Sequence, residues 1–199
     1  MHGVDIVLFH SALGLRPGVH RFADRLRRAG HTVHTPDLYD GETFDDIPAG
    51  LRKLEAIGGI PALMERTQAA VSGLPDEVVY AGFSNGAGSA ELLAGTRPGA
   101  LGAILMHGAL PPDSMGTTRW PPTVPVQVHY AAFDPYRTQS AVEALAREVR
   151  SSGAAFDLFD YPGSGHLFTD SDLPDYDPAS EELLVTRVIG FLSRAPVRV

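Results

Sequence analysis

The sequence predicts an α/β fold, built on a doubly wound and mostly parallel sheet of about six to seven strands flanked by helices. Short apolar runs alternate along the chain with amphipathic stretches of helical length, which is the pattern of repeated strand–helix–strand units. Most of these runs lack polar alternation, as expected for strands covered by helices on both faces. The predicted strands are residues 4–10, 32–36, 78–83, 103–107, 126–130 and 156–161.

Helical patterns fill the intervals between these strands. Apolar residues recur at helical spacing from Val19 to Leu26, and Gly30 is expected to end that helix in the left-handed conformation. An Asp177 N-cap followed by Pro178 marks the start of the last helix. Three further helices are predicted over residues 61–72, 86–96 and 139–152.

Two segments do not fit the alternation. Residues 40–59 are glycine-rich and acidic at first, and residues 111–125 contain several prolines and the only tryptophan, Trp120. Both are predicted to be irregular. Long irregular insertions in a compact domain are typically functional rims or lids, so the second segment is expected to overhang a cleft.

Composition and charge narrow the class of protein. The chain has 199 residues, 44% hydrophobic and 20% charged, and a single domain over residues 1–199 is predicted. The net charge of −8 excludes the basic stripe of a nucleic-acid-binding protein and gives no attraction to an anionic membrane. The absence of cysteine excludes disulfides, thiolate nucleophiles and cysteine-ligated zinc. Any covalent nucleophile must therefore be an oxygen or a nitrogen.

Targeting and cofactor signals are not found in the sequence. Residues 1–9 lack the basic region and long apolar run of a secretory signal, and no segment approaches the 18 or so consecutive apolar residues of a transmembrane helix. A cytoplasmic monomer or homodimer is the expectation. The histidines show no metal-ligand spacing, so neither a metal nor another cofactor is predicted.

The strongest motif is G-x-S-x-G at residues 82–86, between a predicted strand and a stretch of small residues. A serine on such a strand-to-helix turn takes strained backbone angles, and flanking glycines make room for it. The turn would raise the Ser84 hydroxyl to a helix N-terminus, where backbone N–H groups favour developing negative charge. The alternative is a glycine-rich loop of any doubly wound protein, with Ser84 as a helix N-cap.

A serine nucleophile needs a base and an orienting acid, which in α/β-hydrolases follow in the order serine, acid, histidine. Asp134 comes just after the predicted strand 126–130, and His166 just after the strand 156–161. Because the carboxyl ends of parallel strands meet at one edge, Ser84, Asp134 and His166 are expected to form a catalytic triad there. Asp113 is the runner-up for the acid.

Other residues near this edge are assigned to the oxyanion hole and the pocket. The backbone N–H groups of Asn85 and Ala12 are expected to form the oxyanion hole. His107, at a strand end, is expected to line the pocket or to make a structural hydrogen bond. The remaining candidates for the pocket are Ser11, Tyr39, Trp120 and Phe168, with the core as an equal alternative for Phe168. Replacing Trp120 with alanine is expected to change substrate preference more than stability.

With these residues in place, the sequence resembles the dienelactone hydrolase family of α/β-hydrolases over nearly its whole length. The resemblance is carried by residues 10–14, by the Pro-Asp-Leu-Tyr sequence at residues 36–39, by the motif at 82–86, and by Asp134 and the residues around His166. The resemblance implies a compact sheet without a large cap domain. It also implies hydrolysis of a small ester or lactone by a nucleophile, an acid and a histidine.

The sequence departs from the family archetype at three positions. Archetypal members carry cysteine at the position of Ser84 and glutamate at that of Ser11, where it interacts with the resting thiol. They also carry an arginine four residues after the histidine to hold a substrate carboxylate, and here that position is Asp170. An acid there is expected to repel anionic substrates. Alternatively, an anion site could be restored by Arg16, Arg119 or Arg137.

The sequence therefore predicts a dienelactone hydrolase-like serine hydrolase acting on a small ester or lactone through an acyl-enzyme on Ser84. A thioesterase or amidase using the same triad fits the sequence equally well. A non-catalytic homologue serving as a binding module and a flavodoxin-like binding domain are the alternatives from other classes.

Overall fold

The structure, a computed structural model, describes residues 3–116 and 119–195. Its centre is a six-stranded sheet in which every neighbouring pair of strands is parallel, in the order β2-β1-β3-β4-β5-β6. The prediction of a parallel α/β sheet is confirmed. The strands are β1 (Asp5–Phe9), β2 (Thr32–His34), β3 (Val78–Phe83), β4 (Gly102–Met106), β5 (Val126–Ala131) and β6 (Phe156–Tyr161).

Helices cover both faces of the sheet. The helices are α1 (Pro17–Arg28), α2 (Ile47–Ala56), α3 (Gly59–Ala70), α4 (Asn85–Thr96), α5 (Gln139–Ser152) and α6 (Pro178–Leu192). Apolar residues of α1 and α6 form one core with one face, and those of α2 to α5 form a second core with the other. This arrangement is why β3 and β5 are buried along their whole length, and why β3 carries no polar alternation.

Helix α2 was not predicted, and its presence corrects the expectation that residues 40–59 are irregular. Asp46 caps α2, since its carboxylate accepts a hydrogen bond from the Ala49 N–H at 2.7 Å. Pro48 follows in the first turn, where its missing N–H has no cost. The helix packs tightly, because a side chain at Gly50 would collide with the carbonyl of Ala12. The Asp46 cap and Pro48 were the sequence signals from which α2 could have been predicted.

The segment 111–125 also differs from its prediction. It begins with a short 3₁₀ helix, Pro112–Met115, and returns to β5 with Trp120 completely buried in the core. The Trp120 indole N–H donates to the Val124 carbonyl at 2.8 Å. The part of this segment that the structure describes therefore packs onto the sheet at Trp120.

The remaining helix ends follow their predicted caps. Gly30 takes a left-handed conformation with φ 97° just beyond α1, and the Asp177 carboxylate accepts hydrogen bonds from Ala179 and Ser180 at the start of α6. Across residues 3–116 and 119–195, no helix is long and apolar enough to cross a membrane. Nor do these residues form a large cap domain over the sheet.

Candidate active site

The motif at residues 82–86 forms a sharp turn from β3 into α4. Ser84 sits at its tip with φ 53° and ψ −117°, a conformation that L-residues rarely adopt. A side chain at Gly82 would collide with the Gly86 carbonyl, and one at Gly86 with the carbonyls of Phe9 and His10. Hydrogen bonds hold the turn on both sides, from the Ser84 N–H to Met106 and from the Ala87 N–H to the Ser84 carbonyl.

His166 bridges Ser84 and Asp134. Its Nε2 lies 2.9 Å from the Ser84 hydroxyl oxygen, and its Nδ1 lies 3.0 and 2.9 Å from the two carboxylate oxygens of Asp134. An ionised carboxylate can only accept hydrogen bonds, so Nδ1 carries the imidazole proton and Nε2 is free to accept from the serine hydroxyl. The structure thus brings together the three residues that the sequence selected as a triad.

Asp134 lies in the turn after β5. Its side chain is completely buried, and one carboxylate oxygen also accepts a hydrogen bond from the Tyr136 N–H at 2.8 Å. The backbone N–H of His166 donates to the Asp175 carboxylate at 3.2 Å, which fixes the loop after β6. The runner-up acid, Asp113, is exposed in the 3₁₀ helix, where its carboxylate accepts a hydrogen bond from the Ser114 N–H at 3.0 Å.

The loop after β1 lies directly beside the serine turn. Gly86 approaches the carbonyls of Phe9 and His10 so closely that only a glycine fits, and this contact brings Ala12 to the same edge as Asn85. Ala12 is buried, and its carbonyl faces Gly50 of α2. Asn85 is the first residue of α4, so its N–H is one of the helix-terminal donors without an intrahelical acceptor.

A cleft of about 210 Å³ opens over Ser84 and His166. Its wall is mainly apolar and is contributed by Ile60, Met64, Ala109, Leu110, Tyr130 and Tyr136. Among the described residues that line this cleft, none is a lysine, an arginine, an aspartate or a glutamate. The described lining therefore has no lysine or arginine that could pair with a substrate carboxylate.

His107 also lines the cleft, with a strained left-handed backbone at φ 60°. Its ring stacks on Phe83 and meets Phe168 at nearly a right angle, and its Nε2 lies 3.0 Å from the Thr169 hydroxyl. Burial, followed by the proximity of His166 and His129, holds the pKa of His107 well below its usual range. His107 therefore stays neutral beside His166.

Comparison with known proteins places the chain in a family. The family model described as "Dienelactone hydrolase family" matches residues 3–195. The chain belongs to the dienelactone hydrolase family. The resemblance drawn from the sequence is thus confirmed. None of the curated proteins compared with the chain matches it.

Solved structures of the dienelactone hydrolase type share the fold. A dienelactone hydrolase-like promiscuous phosphotriesterase from metagenomic libraries is similar with a TM-score of 0.81 and 24% identity, over 98% of this chain and 87% of that one. For a dienelactone hydrolase from Anabaena variabilis these values are 0.67 and 20%, over 98% and 88%. Carboxyl esterase 2 from the fungus Tuber melanosporum gives 0.67 and 15%, over 96% and 78%. At these identities the likeness concerns the fold.

Within this dienelactone hydrolase fold, Trp120 does not line the cleft, which corrects the prediction for the pocket wall. Its side chain is completely buried among the apolar residues of the second core, and its backbone N–H donates to Glu148 of α5 at 3.1 Å. A tryptophan in a proline-rich insertion has the composition of a rim, but here its large apolar surface is used for packing.

Three further pocket candidates also lie outside the cleft lining. The Ser11 hydroxyl accepts a hydrogen bond from the Leu13 N–H at 3.1 Å and so shapes the loop that carries Ala12. Tyr39 is completely buried, and its hydroxyl lies 3.4 Å from the Asn85 side-chain amide. Phe168 packs in the core beneath His107, which is the alternative considered for it. Ser11, Tyr39 and Phe168 therefore contact residues in or next to the site without lining the cleft.

Asp170 is paired rather than facing the substrate space, so the argument that its charge repels anions is wrong. Its carboxylate accepts a hydrogen bond from the Arg16 guanidinium at 2.9 Å. Arg16 is almost completely buried and also binds Asp45 and the Phe44 carbonyl. Through these contacts Arg16 joins the start of α1 to the segment before α2 and to the loop that carries His166.

No arginine restores an anion site in the described part of the cleft. Arg16 is occupied by Asp170 and Asp45, and Arg137 is paired with Asp160. Arg119 is exposed on the segment before Trp120 and is absent from the cleft lining. No arginine lines the described cleft, because Arg16 and Arg137 pair with carboxylates outside it and Arg119 is not part of its lining.

Sequence reasoning missed the residues that form the mouth of the cleft. Ile60 and Met64 come from α3, and Leu110 and Tyr136 follow β4 and β5. Tyr136 had a usable signal, since it lies two residues after Asp134 at a strand end. Ile60 and Met64 had no such signal, because their place in the cleft depends on where α3 packs.

Proposed function

We propose that this protein is a serine hydrolase that cleaves small uncharged esters or lactones through an acyl-enzyme on Ser84. The observation that supports it best is the hydrogen-bonded chain from Ser84 through His166 to Asp134, with heavy-atom distances of 2.9 to 3.0 Å. This is the arrangement by which a base activates a serine hydroxyl and an acid orients the base.

In the first half of the proposed reaction, the Ser84 hydroxyl oxygen attacks the carbonyl carbon of the substrate. His166 Nε2 takes the hydroxyl proton, and Asp134 stabilises the resulting imidazolium through Nδ1. The carbonyl oxygen becomes negatively charged, and the N–H groups of Asn85 and Ala12 are proposed to stabilise it. The imidazolium then returns its proton to the departing alkoxide, which leaves the acyl group on Ser84.

In the second half, water attacks the acyl-enzyme carbonyl while His166 Nε2 takes a proton from that water. The ester bond to Ser84 breaks, the serine oxygen regains the proton from His166, and the carboxylic acid product is released. For a lactone the alcohol and the acid are parts of one molecule. Neither half needs a metal or another cofactor in its atom balance.

The cleft supports an uncharged and small substrate. The cleft volume of about 210 Å³ lies below the roughly 300–1,000 Å³ of common small-molecule sites. The apolar wall from Ile60, Met64 and Leu110 suits a short hydrocarbon group, and no described lysine or arginine lines it to hold a carboxylate. The preference for neutral substrates that was predicted from Asp170 is therefore kept, but the reason is now the lack of a lysine or arginine in the cleft lining.

Replacing Ser84 with alanine tests the nucleophile. We expect the Ser84→Ala protein to lose at least about a thousandfold in kcat on activated short-chain esters, because no other group can form the acyl-enzyme. A fluorophosphonate is expected to add its phosphonyl mass to the wild-type protein only. Ser72→Ala, which alters an exposed serine beyond α3, is the control that should label and hydrolyse like the wild type.

Full esterase activity in Ser84→Ala, or a wild-type mass unchanged by the fluorophosphonate, would reject the proposal. If the fluorophosphonate labels the wild type but no activated ester is turned over, the protein would cleave a bond other than an ester. Esters, thioesters and amides of one acyl group, compared at equal concentration, distinguish an esterase from a thioesterase or amidase using the same triad. A bound flavin in the purified protein would favour the binding-domain alternative.

A further inference from the structure

Tyr136 lies against the proposed base in a way that the triad itself does not require. Its ring centroid is 4.5 Å from that of His166, with the two planes tilted by 46°. The side chain lines the cleft, and 53% of it remains exposed to solvent. A large aromatic side chain that is half exposed gains little from burial, so its position next to His166 calls for another explanation.

The backbone of Tyr136 is tied to the same triad. Its N–H donates to Oδ1 of Asp134 at 2.8 Å, and that oxygen is one of the two that His166 Nδ1 contacts. Pro135 lies between the two residues and restricts the backbone of the turn. Asp134 therefore contacts both the His166 imidazole and the backbone that carries the Tyr136 ring. Replacing the side chain leaves this backbone hydrogen bond in place.

Besides Tyr136, the described groups that contact the His166 ring are Asp134, Ser84 and His107. Asp134 contacts Nδ1, Ser84 contacts Nε2, and the neutral ring of His107 lies edge-on with its centroid 6.1 Å away. Asp175 contacts only the His166 backbone N–H. Apart from the Asp134 carboxylate, Tyr136 is the described group best placed to respond to a positive charge on the imidazole.

We propose that Tyr136 is a positioning residue that stabilises the imidazolium form of His166 during acyl transfer. A cation within about 6 Å of an aromatic centroid is attracted by the negative face of the ring. The attraction exists only while His166 holds the Ser84 proton, so it lowers the barrier without strengthening the resting state. The ring also shields the imidazolium from water on that side. This role rests on the proposed function, because it requires His166 to act as the base.

The pH dependence of the reaction separates this role from simple substrate binding. A group that stabilises the imidazolium makes His166 harder to deprotonate, and so it places the acid limb of the rate profile at higher pH. Without the ring, the acid limb of kcat/KM should move to lower pH by about half a unit, and the plateau of kcat should fall about two- to fivefold. A wall residue that only contacts the substrate would change KM and leave the acid limb in place.

The experiment compares Tyr136→Leu, Tyr136→Phe and the wild type on a neutral short-chain ester between pH 5 and pH 9. We expect Tyr136→Leu to show both changes and Tyr136→Phe to match the wild type within about twofold, because phenylalanine keeps the ring. Phe133→Leu is the matched control, since it removes an aromatic ring that is 78% exposed in the same turn. The rate of inactivation by a small fluorophosphonate, measured over the same pH range, checks the acid limb without a leaving alcohol.

The proposal is overturned if Tyr136→Leu keeps the wild-type acid limb, or if Tyr136→Phe shifts it as far as Tyr136→Leu does. Melting temperatures test folding, and Tyr136→Gln provides a second ring-free variant with a polar side chain. Failure of the proposed function looks different, because Ser84→Ala would then retain activity and the fluorophosphonate would not label the wild type.

Discussion

At the scale of single residues, the backbone of Ser84 is strained, and its neighbours are small because of that strain. A conformation such as φ 53° and ψ −117° costs on the order of 1–3 kcal/mol and persists only where the surrounding packing fixes it. Here the packing is the contact of Gly82 with Gly86, and of Gly86 with the end of β1. The glycines were visible in the sequence, so the position of the serine could be predicted from them.

Trp120 is the residue whose role changes most between sequence and structure. Because its side chain is completely buried and its indole N–H is satisfied by Val124, Trp120→Ala is expected to lower the free energy of unfolding by about 3–5 kcal/mol. Steady-state kinetics of the folded fraction should stay close to the wild type, since Trp120 does not line the cleft. Urea denaturation and ester hydrolysis on the same sample make the comparison.

Trp120→Phe keeps most of the packed surface and serves as the milder control. A variant that altered substrate preference while unfolding at the wild-type urea concentration would contradict the assignment of Trp120 to the core. The sequence could not decide between core and rim for this residue, because proline-rich flanks are compatible with both. Its burial depends on packing against α5, whose Glu148 lies 28 residues further along the chain.

At the scale of secondary structure elements, strand order accounts for the site. Strands β3, β4, β5 and β6 are consecutive neighbours in the sheet, and Ser84, His107, Asp134 and His166 follow them in that order. Parallel neighbours place such residues at one edge. The proximity of Ser84, Asp134 and His166 was therefore predictable from the motif at residues 82–86, chain order and strand ends. The cleft mouth was not, because it depends on where α3 packs.

Helix α4 carries a buried acid that the proposed mechanism does not use. One oxygen of Glu91 accepts a hydrogen bond from the Leu110 N–H at 2.9 Å, and the other is buried without a partner among the described residues. Burial raises the pKa of Glu91 to about 8 from a usual value of 4.5. The carboxyl is therefore neutral in the folded protein at pH 7.

A raised carboxyl pKa makes stability fall as pH rises. The unfolded chain loses the Glu91 proton near pH 4.5 and the folded chain only near pH 8, so the loss accumulates between these values. Each unit corresponds to about 1.4 kcal/mol, which makes the total several kcal/mol. Glu91→Gln keeps the acceptor for Leu110 and should remove this pH dependence, so its advantage in unfolding free energy should grow from pH 5 to pH 9.

Urea denaturation of both proteins at pH 5, 7 and 9 measures this difference. Glu65→Gln on α3 is the matched control, because Glu65 is exposed and the substitution removes the same charge. A constant difference between Glu91→Gln and the wild type across this pH range would show that Glu91 is already ionised in the folded protein.

At the scale of the whole molecule, the net charge of −8 acts on substrates before they reach the cleft. A field of one sign repels like-charged ligands over a distance that salt shortens to about 10 Å at 0.1 M ionic strength. We expect kcat/KM for a carboxylate-bearing lactone to rise when ionic strength increases from 0.01 to 0.2 M. For a neutral ester of similar size it should remain constant.

Initial rates for the two substrates at several salt concentrations test this expectation. If the rates for both substrates changed equally, salt would be acting on the enzyme itself rather than on the approach of the anionic substrate. Even at high salt the anionic lactone should remain the poorer substrate, because no described cation lines the cleft.

The pairing of Arg16 with Asp170 limits how this protein can evolve. Asp170→Arg alone would set a second guanidinium against the almost completely buried Arg16, whose remaining partners are Asp45 and the Phe44 carbonyl. A lineage that acquires an arginine at position 170 is therefore expected to change position 16 first. Because the two side chains are in contact, substitutions at positions 16 and 170 are expected to have non-additive effects on stability.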